Sequence, residues 1–422
     1  MERCMYDLSH FSFMTGRIGQ LQTLTCIPVV SGDSFSVNFQ GVFRLSPLRR
    51  NMVIDCMVDL FAFYVPYRHV YGDDWENFML QGTDETVTFG TADFTTNAVE
   101  YLGSQRTTGV APLWRLASYN QIWNRYFRVP SDTSAILSNT ALEAGVNKNK
   151  WGRYCARPKV IWSTGVDTTT DAADREVTVT ANQLDITDLD AVKGRYASEQ
   201  RRDWFGQRYN DILKNQFGGG AGTDADERPT LIMRKQHFLS GYDVDGTGDA
   251  TLGQYSGKSA AVCDLQIPRK WFPEHGSLWI MALLRFPTIH EEEIHYLFKK
   301  SQPTYDEISG DPDIWERKAP IEHQVQDFFT ESTDTTSLGF MPYGQWYRYH
   351  PNVVHNQFTE VTGFSFVSAR PTSKDTARYI QDDEYTPTFQ TTSLGHWQSQ
   401  ARVDVEAVRP IPGPLKSIFA GV

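Results

Sequence analysis

Residues 32–78 constrain the fold of this chain more than any other stretch. In its first half, Phe35, Val37 and Phe39 alternate with polar residues. After the basic turn SPLRR, a second run carries an apolar face made of Ile54, Cys56, Val58, Leu60, Ala62 and Tyr64. Successive side chains of a strand point to opposite faces, so both runs predict strands with a well-defined buried face. We interpret the two runs as a strand pair.

Strand patterns recur toward both ends of the chain. Residues 401–407 alternate Ala and Val with charged residues, and residues 278–286 are apolar except for Arg285 and end at Pro287. The first pattern predicts a half-buried strand, and the second predicts a central strand that is buried on both faces. Residues 176–187 and 361–367 are further candidate strands.

Helical patterns are fewer and lie between these strands. In residues 112–128, apolar side chains recur at the spacing of one helix face. Residues 185–215 are expected to hold one or two more helices, which end before the glycines at 218–220. The remaining segments are rich in Gly, Thr, Asp and Asn, and are expected to be loops: 82–111, 131–150, 163–175 and 218–229.

These patterns together predict a mainly β sandwich with long, partly helical insertion loops. We expect residues 1–422 to form a single domain, with the large insertions between about 70 and 270. The segment 409–422 contains three prolines, which cannot join the interior of a sheet. It is therefore expected to form an extended C-terminal arm over a neighbouring surface.

The charge of the chain limits how it can contact nucleic acid. Its 422 residues carry a net charge of −11. A protein that coats nucleic acid unaided is normally basic, so this chain would need a small basic partner or cations to enclose DNA.

No stretch of about 18 apolar residues occurs, which argues against membrane insertion. The five cysteines are widely spaced and predict neither a disulfide framework nor a zinc site.

The strongest candidate for a metal site is the segment GYDVDGTGDATLGQYSGK at 241–258. Asp243, Asp245, Thr247 and Gly248 occupy positions 1, 3, 5 and 6 of a calcium-binding loop, but Thr247 replaces the usual Asp or Asn of position 5. Gln254 stands where such a loop needs a bidentate Glu. Because Asp-Gly pairs are also common turn formers, an ordinary turn is the better interpretation, and a structural cation bound to Asp243 and Asp245 is the alternative.

A cluster of basic and aromatic residues is the candidate nucleic-acid site. Arg201 and Arg208 are seven residues apart, and hence on one helix face, with Trp204 beside them. Arg234 and Lys235 follow after a glycine-rich loop. Guanidinium groups bind phosphates and aromatic rings stack on bases, a combination that suits single-stranded nucleic acid. The alternative is ordinary surface charge with Trp204 facing the core.

Two further basic residues, Arg49 and Arg50 of the SPLRR turn, could contact either DNA or a neighbouring subunit.

Catalytic motifs are missing from the sequence. His290 and His295 of HEEEIH are five residues apart and do not have the i, i+4 spacing of zinc ligands on a helix. The chain has no GxSxG motif either, and we expect no catalytic site.

Six strings in order along the chain resemble the major capsid proteins of the microviruses, which are small icosahedral phages with single-stranded DNA. The strings are YDLSH at 6–10, the block at 32–78, SGYDVDGT at 240–247, IPRKWFPEHG at 267–276, SGDP at 309–312 and GQWYRYHP at 344–351. They are long and unusual, and they cover both ends and the middle of the chain. As a set they are far more specific than any single motif above.

The resemblance implies an eight-stranded antiparallel jelly roll and a structural, non-enzymatic role. Members of this family form pentamers, which build a small icosahedral shell around circular single-stranded DNA. The implied partners are further copies of the chain, a spike protein, a small basic DNA-packaging protein, scaffolding proteins and host lipopolysaccharide. The implied location is the virion capsid, with assembly in the cytoplasm of the host bacterium.

Two other classes of protein share parts of this pattern. A carbohydrate-binding or carbohydrate-active β-sandwich would also have aromatic-rich loops. A soluble protein that binds single-stranded DNA would need a basic groove, which the acidic total disfavours. We therefore expect a capsid subunit, with the carbohydrate-related sandwich as the alternative.

Overall fold

The fold is described from a computed structural model of the chain. The described residues are 3–48, 54–71, 75, 91–94, 109–128, 152–156, 228–240, 259–287, 289–290, 293–315, 318, 321–329, 333–355 and 383–410. The predicted strands at 176–187 and 361–367, the predicted helices within 185–215 and the arm beyond Pro410 lie outside them.

The described residues are mainly β. Their thirteen strands are β1 (Cys4–Asp7), β2 (His10–Gly16), β3 (Leu21–Val29), β4 (Ser34–Leu45), β5 (Cys56–Pro66), β6 (Thr91–Phe94), β7 (Gly109–Pro112), β8 (Thr230–Leu239), β9 (Ala260–Trp271), β10 (Gly276–Arg285), β11 (Ile321–Gln324), β12 (Ser337–Met341) and β13 (Trp397–Arg409). All pairings between these strands are antiparallel.

Short helices lie in the connections between strands. They are α1 (Arg68–Tyr71), α2 (Leu113–Ile122), α3 (Tyr296–Lys299), α4 (Tyr305–Ile308), α5 (Pro312–Trp315) and α6 (Val325–Phe328). Helix α2 continues directly as a π-helical turn at Trp123–Phe127, and two 3-10 helices span Gln345–Tyr347 and Asp383–Thr388. In the described part of the chain, no helix is both long enough and apolar enough to span a bilayer.

Two large sheets form the body of the molecule. In the first sheet the order is β1-β13-β4-β9, and β2 also pairs with β13; in the second sheet the order is β3-β10-β5-β8. Strand β1 pairs with residues 406–409 and β2 with residues 397–403, so both strands lie along one side of β13. The nine strands therefore occupy eight positions. This order is that of a jelly roll, and the predicted antiparallel β sandwich is confirmed.

The main core lies between the two sheets. The predicted inward faces are confirmed, since Phe35, Val37 and Phe39 of β4 and Val58 and Leu60 of β5 are all buried there. The predicted pairing of these two strands is wrong. Strand β4 pairs with β13 and β9, whereas β5 pairs with β10 and β8 in the other sheet. Alternation specifies which face is buried but not which strand lies alongside, and the two faces meet across the sandwich.

The second sheet is covered on its outer face as well. Helix α2 and the π-helical turn pack there, with Leu116, Tyr119, Ile122 and Trp123 buried. The helix predicted at 112–128 is thereby confirmed. Because β10 lies between this layer and the main core, every residue from 276 to 284 is buried, as its continuous apolar run predicted.

Two other predictions concern single segments. The strand predicted at 401–407 is confirmed as part of β13, whose alternate residues are buried. The segment 82–111 was expected to be a loop, but it contains β6 and most of β7, which pair with each other. Each of these strands has only four residues, which is too short a run for hydrophobic alternation to predict a strand. Strand β8 and all but the last residue of β9, which belong to the two main sheets, lie within the stretch 70–270.

A separate small core lies between β10 and β13 in the sequence. We call residues 293–350 the C-terminal cluster. The hairpin of β11 and β12 packs there with α3, α6 and the first 3-10 helix. Its buried side chains are Tyr296, Val325, Phe328, Phe329, Leu338, Met341 and Trp346.

Candidate assembly and nucleic-acid surfaces

Only part of the predicted basic cluster falls on described residues. Arg201, Trp204 and Arg208 lie outside them, as do Arg49 and Arg50 and the candidate cation ligands Asp243 and Asp245. Arg234 and Lys235 lie on β8, the edge strand of the second sheet. Within the described part of the chain, no group of three or more His, Cys, Asp or Glu side chains could hold a metal ion.

Arg234 takes part in an ion cluster around a buried carboxylate. Asp59 of β5 is fully buried, and its Oδ1 accepts a hydrogen bond from Nη2 of Arg234 at 2.9 Å. Its other oxygen, Oδ2, is bonded by Arg285 of β10. The Arg234 guanidinium also lies 5.5 Å from the ring centroid of Phe61. A buried carboxylate needs such partners to offset its loss of hydration, so Arg234 has a structural role.

Lys235 connects the edges of the two sheets. Its Nζ lies 2.5 Å from Oδ2 of Asp264 on β9. The hydrogen bond from Lys235 holds the pKa of Asp264 below its usual value. His237 lies two residues further along β8, and its Nε2 is 2.9 Å from the backbone carbonyl of Asp264. Both predicted DNA-binding residues of β8 thus already have carboxylate partners, and their contact with DNA stays a prediction.

An exposed aromatic pair that the sequence did not predict lies on the outer face of the first sheet. Phe11 and Phe13 of β2 are 67% and 69% exposed, while Ser12 between them is buried. The hydroxyl of Ser12 donates a hydrogen bond to the carbonyl of Leu24 at 2.6 Å, so this buried polar group has a partner. The signal was the string HFSFMTG, but alternation alone would place its phenylalanines inside.

The C-terminal cluster exposes a second set of apolar side chains. Phe298 on α3 and Tyr305 on α4 are each 76% exposed, and Ile308 is 53% exposed. Tyr347 is half-exposed, and its ring stacks on Trp315 with the centroids 5.4 Å apart. Exposed apolar groups at this density are typical of surfaces that bind another protein.

Polar contacts hold this surface in place. Glu307 of α4 is buried and accepts hydrogen bonds from the Thr304 backbone N–H at 2.8 Å and from the Tyr296 hydroxyl at 3.0 Å. Lys300 also bonds this carboxylate. Burial raises the pKa of Glu307, but these hydrogen bonds outweigh burial and hold the pKa to about 2. The indole N–H of Trp315 donates to the Asp306 carbonyl at 2.6 Å, which ties the stacked rings to α4.

The fold places the chain in the jelly-roll class of proteins, which includes the subunits of many viral shells, and the surfaces above expose apolar and aromatic groups around the sandwich. The chain matches the model of the capsid protein (F protein) family over residues 1–182 and 176–419. It therefore belongs to this family of phage capsid proteins.

Relatives match over almost the whole chain. Capsid protein F of Escherichia phage G4 is 37% identical over 421 residues, covering 99% of this chain and 98% of the relative. Capsid protein F of Enterobacteria phage phiK is 37% identical over 429 residues, with the same coverage. Capsid protein F of Escherichia phage alpha3 is 37% identical over 431 residues, again with that coverage. The chain is a structural component of the virion capsid and not an enzyme, and the carbohydrate-related alternative gains no support.

Proposed function

We propose that this chain is the major shell subunit of a small phage, and that it assembles through pentamers into an icosahedral shell around circular single-stranded DNA. The observation that carries the proposal is the relationship to microvirus capsid proteins over 99% of the chain. The antiparallel β sandwich, whose strand order is consistent with a jelly roll, agrees with it, since this architecture is widely used in viral shells.

Exposed apolar side chains supply the driving force for assembly in this proposal. Obligate interfaces commonly bury ~2,000–5,000 Å² and are rich in apolar groups. Tyr305, Ile308 and Tyr347 of the C-terminal cluster are suited to such an interface, because burying them against a second copy removes apolar surface from water. The arm 409–422 would extend over a neighbouring subunit.

The acidic charge of the chain points to the partners that it needs. With a net charge of −11, the shell would repel its own genome unless a small basic packaging protein or cations neutralised the phosphates. A spike protein, scaffolding proteins and host lipopolysaccharide complete the proposed set of partners, with assembly in the host cytoplasm. A contribution of Arg201, Trp204, Arg208, Arg234 and Lys235 to DNA binding belongs to the same proposal, as does a structural cation at Asp243 and Asp245.

Sedimentation of the purified chain tests the assembly proposal. We expect pentamers or larger assemblies at micromolar concentration. Replacing Ile308 by Asp should shift the distribution toward monomers, because a charge would be buried in the interface. The matched control is Leu394→Asp, at a side chain that is 60% exposed but lies outside the C-terminal cluster. A stable monomer of the unmodified chain, even with its companion proteins present, would count against the proposal.

A further inference from the structure

Strand β2 exposes two aromatic residues where a strand of this sheet would usually expose polar ones, although Met14 further along it packs against the core. A strand packed on a core normally turns its apolar residues inward. Here Phe11 and Phe13 point outward, and the buried position between them is taken by Ser12. The two rings therefore contribute little to the core of this chain. Large aromatic side chains left in water on a regular strand indicate a binding surface.

The neighbouring strands surround these rings with amide and guanidinium groups. Phe13 lies opposite Gln400 of β13, and Phe11 lies opposite Arg402. On the far side of β13, Gln40 lies opposite Arg402, and Arg44 lies opposite Gln398. All these side chains occupy the same outer face because opposed residues of paired strands share a face. We call Phe11, Phe13, Gln40, Arg44, Gln400 and Arg402 the β2 platform.

The local charge suits a polyanion better than the net charge of the chain suggests. Three carboxylates of this face have basic partners: Asp264 pairs with Lys235, Asp404 pairs with Arg402 at 2.7 Å, and Glu406 pairs with Arg269. Asp7 of β1 also lies near Arg402, and its carboxylate is hydrogen-bonded to Ser9. Arg44 is exposed and has no ion pair with another described residue. The β2 platform thus combines flat aromatic rings, neutral amides and a guanidinium group that is available to a phosphate.

We propose that the β2 platform binds single-stranded DNA, with bases stacked on Phe11 and Phe13. Residues i and i+2 of a strand are roughly 6.6–6.8 Å apart, which is a spacing that lets two rings take successive bases of an extended strand. The amides can bond base edges, and Arg44 can bond a phosphate. This inference rests on the proposed function, in which the shell encloses single-stranded DNA.

A protein partner fits the β2 platform less well. Apart from Thr15, Val42 and Val262, the side chains around the two rings are polar amides or charged groups. The centre of a protein interface usually has a larger continuous apolar area and fewer charges. Aromatic rings set among hydrogen-bonding groups are the arrangement found where single-stranded nucleic acid lies on a sheet.

Photochemical cross-linking of intact, DNA-filled particles tests the proposal directly. After irradiation at a wavelength that bases absorb, the capsid chain is digested and nucleotide adducts are mapped by mass spectrometry. We expect adducts on the peptide that contains Phe11 and Phe13, and none at Phe238, which is 63% exposed on β8 of the other sheet. DNA adducts elsewhere with none on β2, or cross-links from β2 to a polypeptide, would overturn the proposal.

A variant series separates stacking from simple apolar contact. The probe is a fluorescein-labelled oligothymidylate, and its binding to purified pentamers is followed by polarisation. Loss of one base stack weakens binding by about 5- to 150-fold. Replacing both Phe11 and Phe13 by Leu should therefore weaken binding at least about tenfold, while replacing both by Trp should preserve it. Phe238→Leu is the control and should bind as the unmodified chain does. Equal binding by the Leu and Trp variants would contradict base stacking.

Failure of this inference can be told apart from failure of the proposed function. Particle formation by the same variants is followed by sedimentation. If the unmodified chain forms no shells even with its companion proteins present, the proposed function fails. If filled shells form and β2 carries no adduct, only the assignment of the β2 platform fails.

Discussion

Single side chains in this molecule show how charge is accommodated inside a β sandwich. Asp59 is fully buried on an otherwise apolar strand, and its two oxygens are bonded by Arg234 and Arg285. The partners of Asp59 come from strands more than 170 residues away, so the sequence does not reveal them. Arg234 was predicted as a DNA ligand because it belongs to a cluster of basic and aromatic residues, and its carboxylate partner could not be seen in the sequence.

Removal of the buried carboxylate tests this account of Asp59. Asp59→Ala leaves Arg285 largely buried without its counter-charge, so we expect a loss of ~3–5 kcal/mol in the free energy of unfolding, reduced by the partial exposure of Arg234. Glu406→Ala is the control, since it breaks the exposed pair with Arg269 and should cost only ~0–1 kcal/mol. Urea denaturation measures both. Equal effects of the two substitutions would contradict a structural ion cluster.

The stability of the C-terminal cluster should depend on pH because Glu307 titrates. Its pKa lies at about 2 in the folded chain, below its usual value of 4.5. A lowered pKa means that the carboxylate stabilises the fold above pH 4.5, and that this contribution is lost as the pH falls toward about 2. The full contribution is ~3 kcal/mol. Glu307→Gln should remove this part of the acid sensitivity, as seen in unfolding curves at pH 2–6. Identical pH dependence of both proteins would refute the assignment.

At the scale of elements, the sequence predicted which face of each strand is buried better than it predicted which strands pair. The buried sides of β4, β5 and β13 and the double burial of β10 followed from hydrophobic patterns. The pairing of β4 with β5 did not hold, because consecutive strands of a jelly roll often belong to opposite sheets. The β2 platform was missed for a related reason. A two-residue period is the same whichever face is buried, so Phe11 and Phe13 look like core residues until the register is known.

The tight turn that begins the first 3-10 helix offers a test at this scale. Gly344 has a φ of 77°, and a Cβ added there would lie 2.5 Å from Cε3 of Trp315. Gly310 also has a positive φ of 67°, but its added Cβ would meet Trp315 only at 3.9 Å. Both substitutions to Ala incur the ~1–2 kcal/mol of a left-handed backbone, and only Gly344→Ala also displaces the Trp315–Tyr347 stack.

We therefore expect Gly344→Ala to weaken hydrogen-exchange protection in residues 293–350 clearly more than Gly310→Ala does. Amide protection in β10 should change little in either variant, because the buried residues of the main core and those of the C-terminal cluster form separate groups. Comparable protection in the two variants would show that the Trp315 contact does not stabilise the turn.

The whole molecule combines a rigid two-sheet body with an acidic surface that carries exposed aromatic and apolar groups. In a monomer such groups would stay exposed to water, whereas in a shell some would be buried between subunits and others would contact the enclosed DNA. The excess of 11 negative charges opposes direct packing of DNA, so the β2 platform would supply local contacts while a basic partner neutralises most phosphates. The resemblance of scattered strings to the microvirus family predicted this class correctly, because those strings span both sheets and the C-terminal cluster.

Electron cryomicroscopy of purified particles tests the central claim most directly. The account predicts a small icosahedral shell in which the two sheets of this chain fit density that repeats around every five-fold axis, with the β2 platform turned toward the enclosed DNA. Shell density that belongs to a different protein, with this chain absent from the shell or present only as isolated monomers, would contradict it.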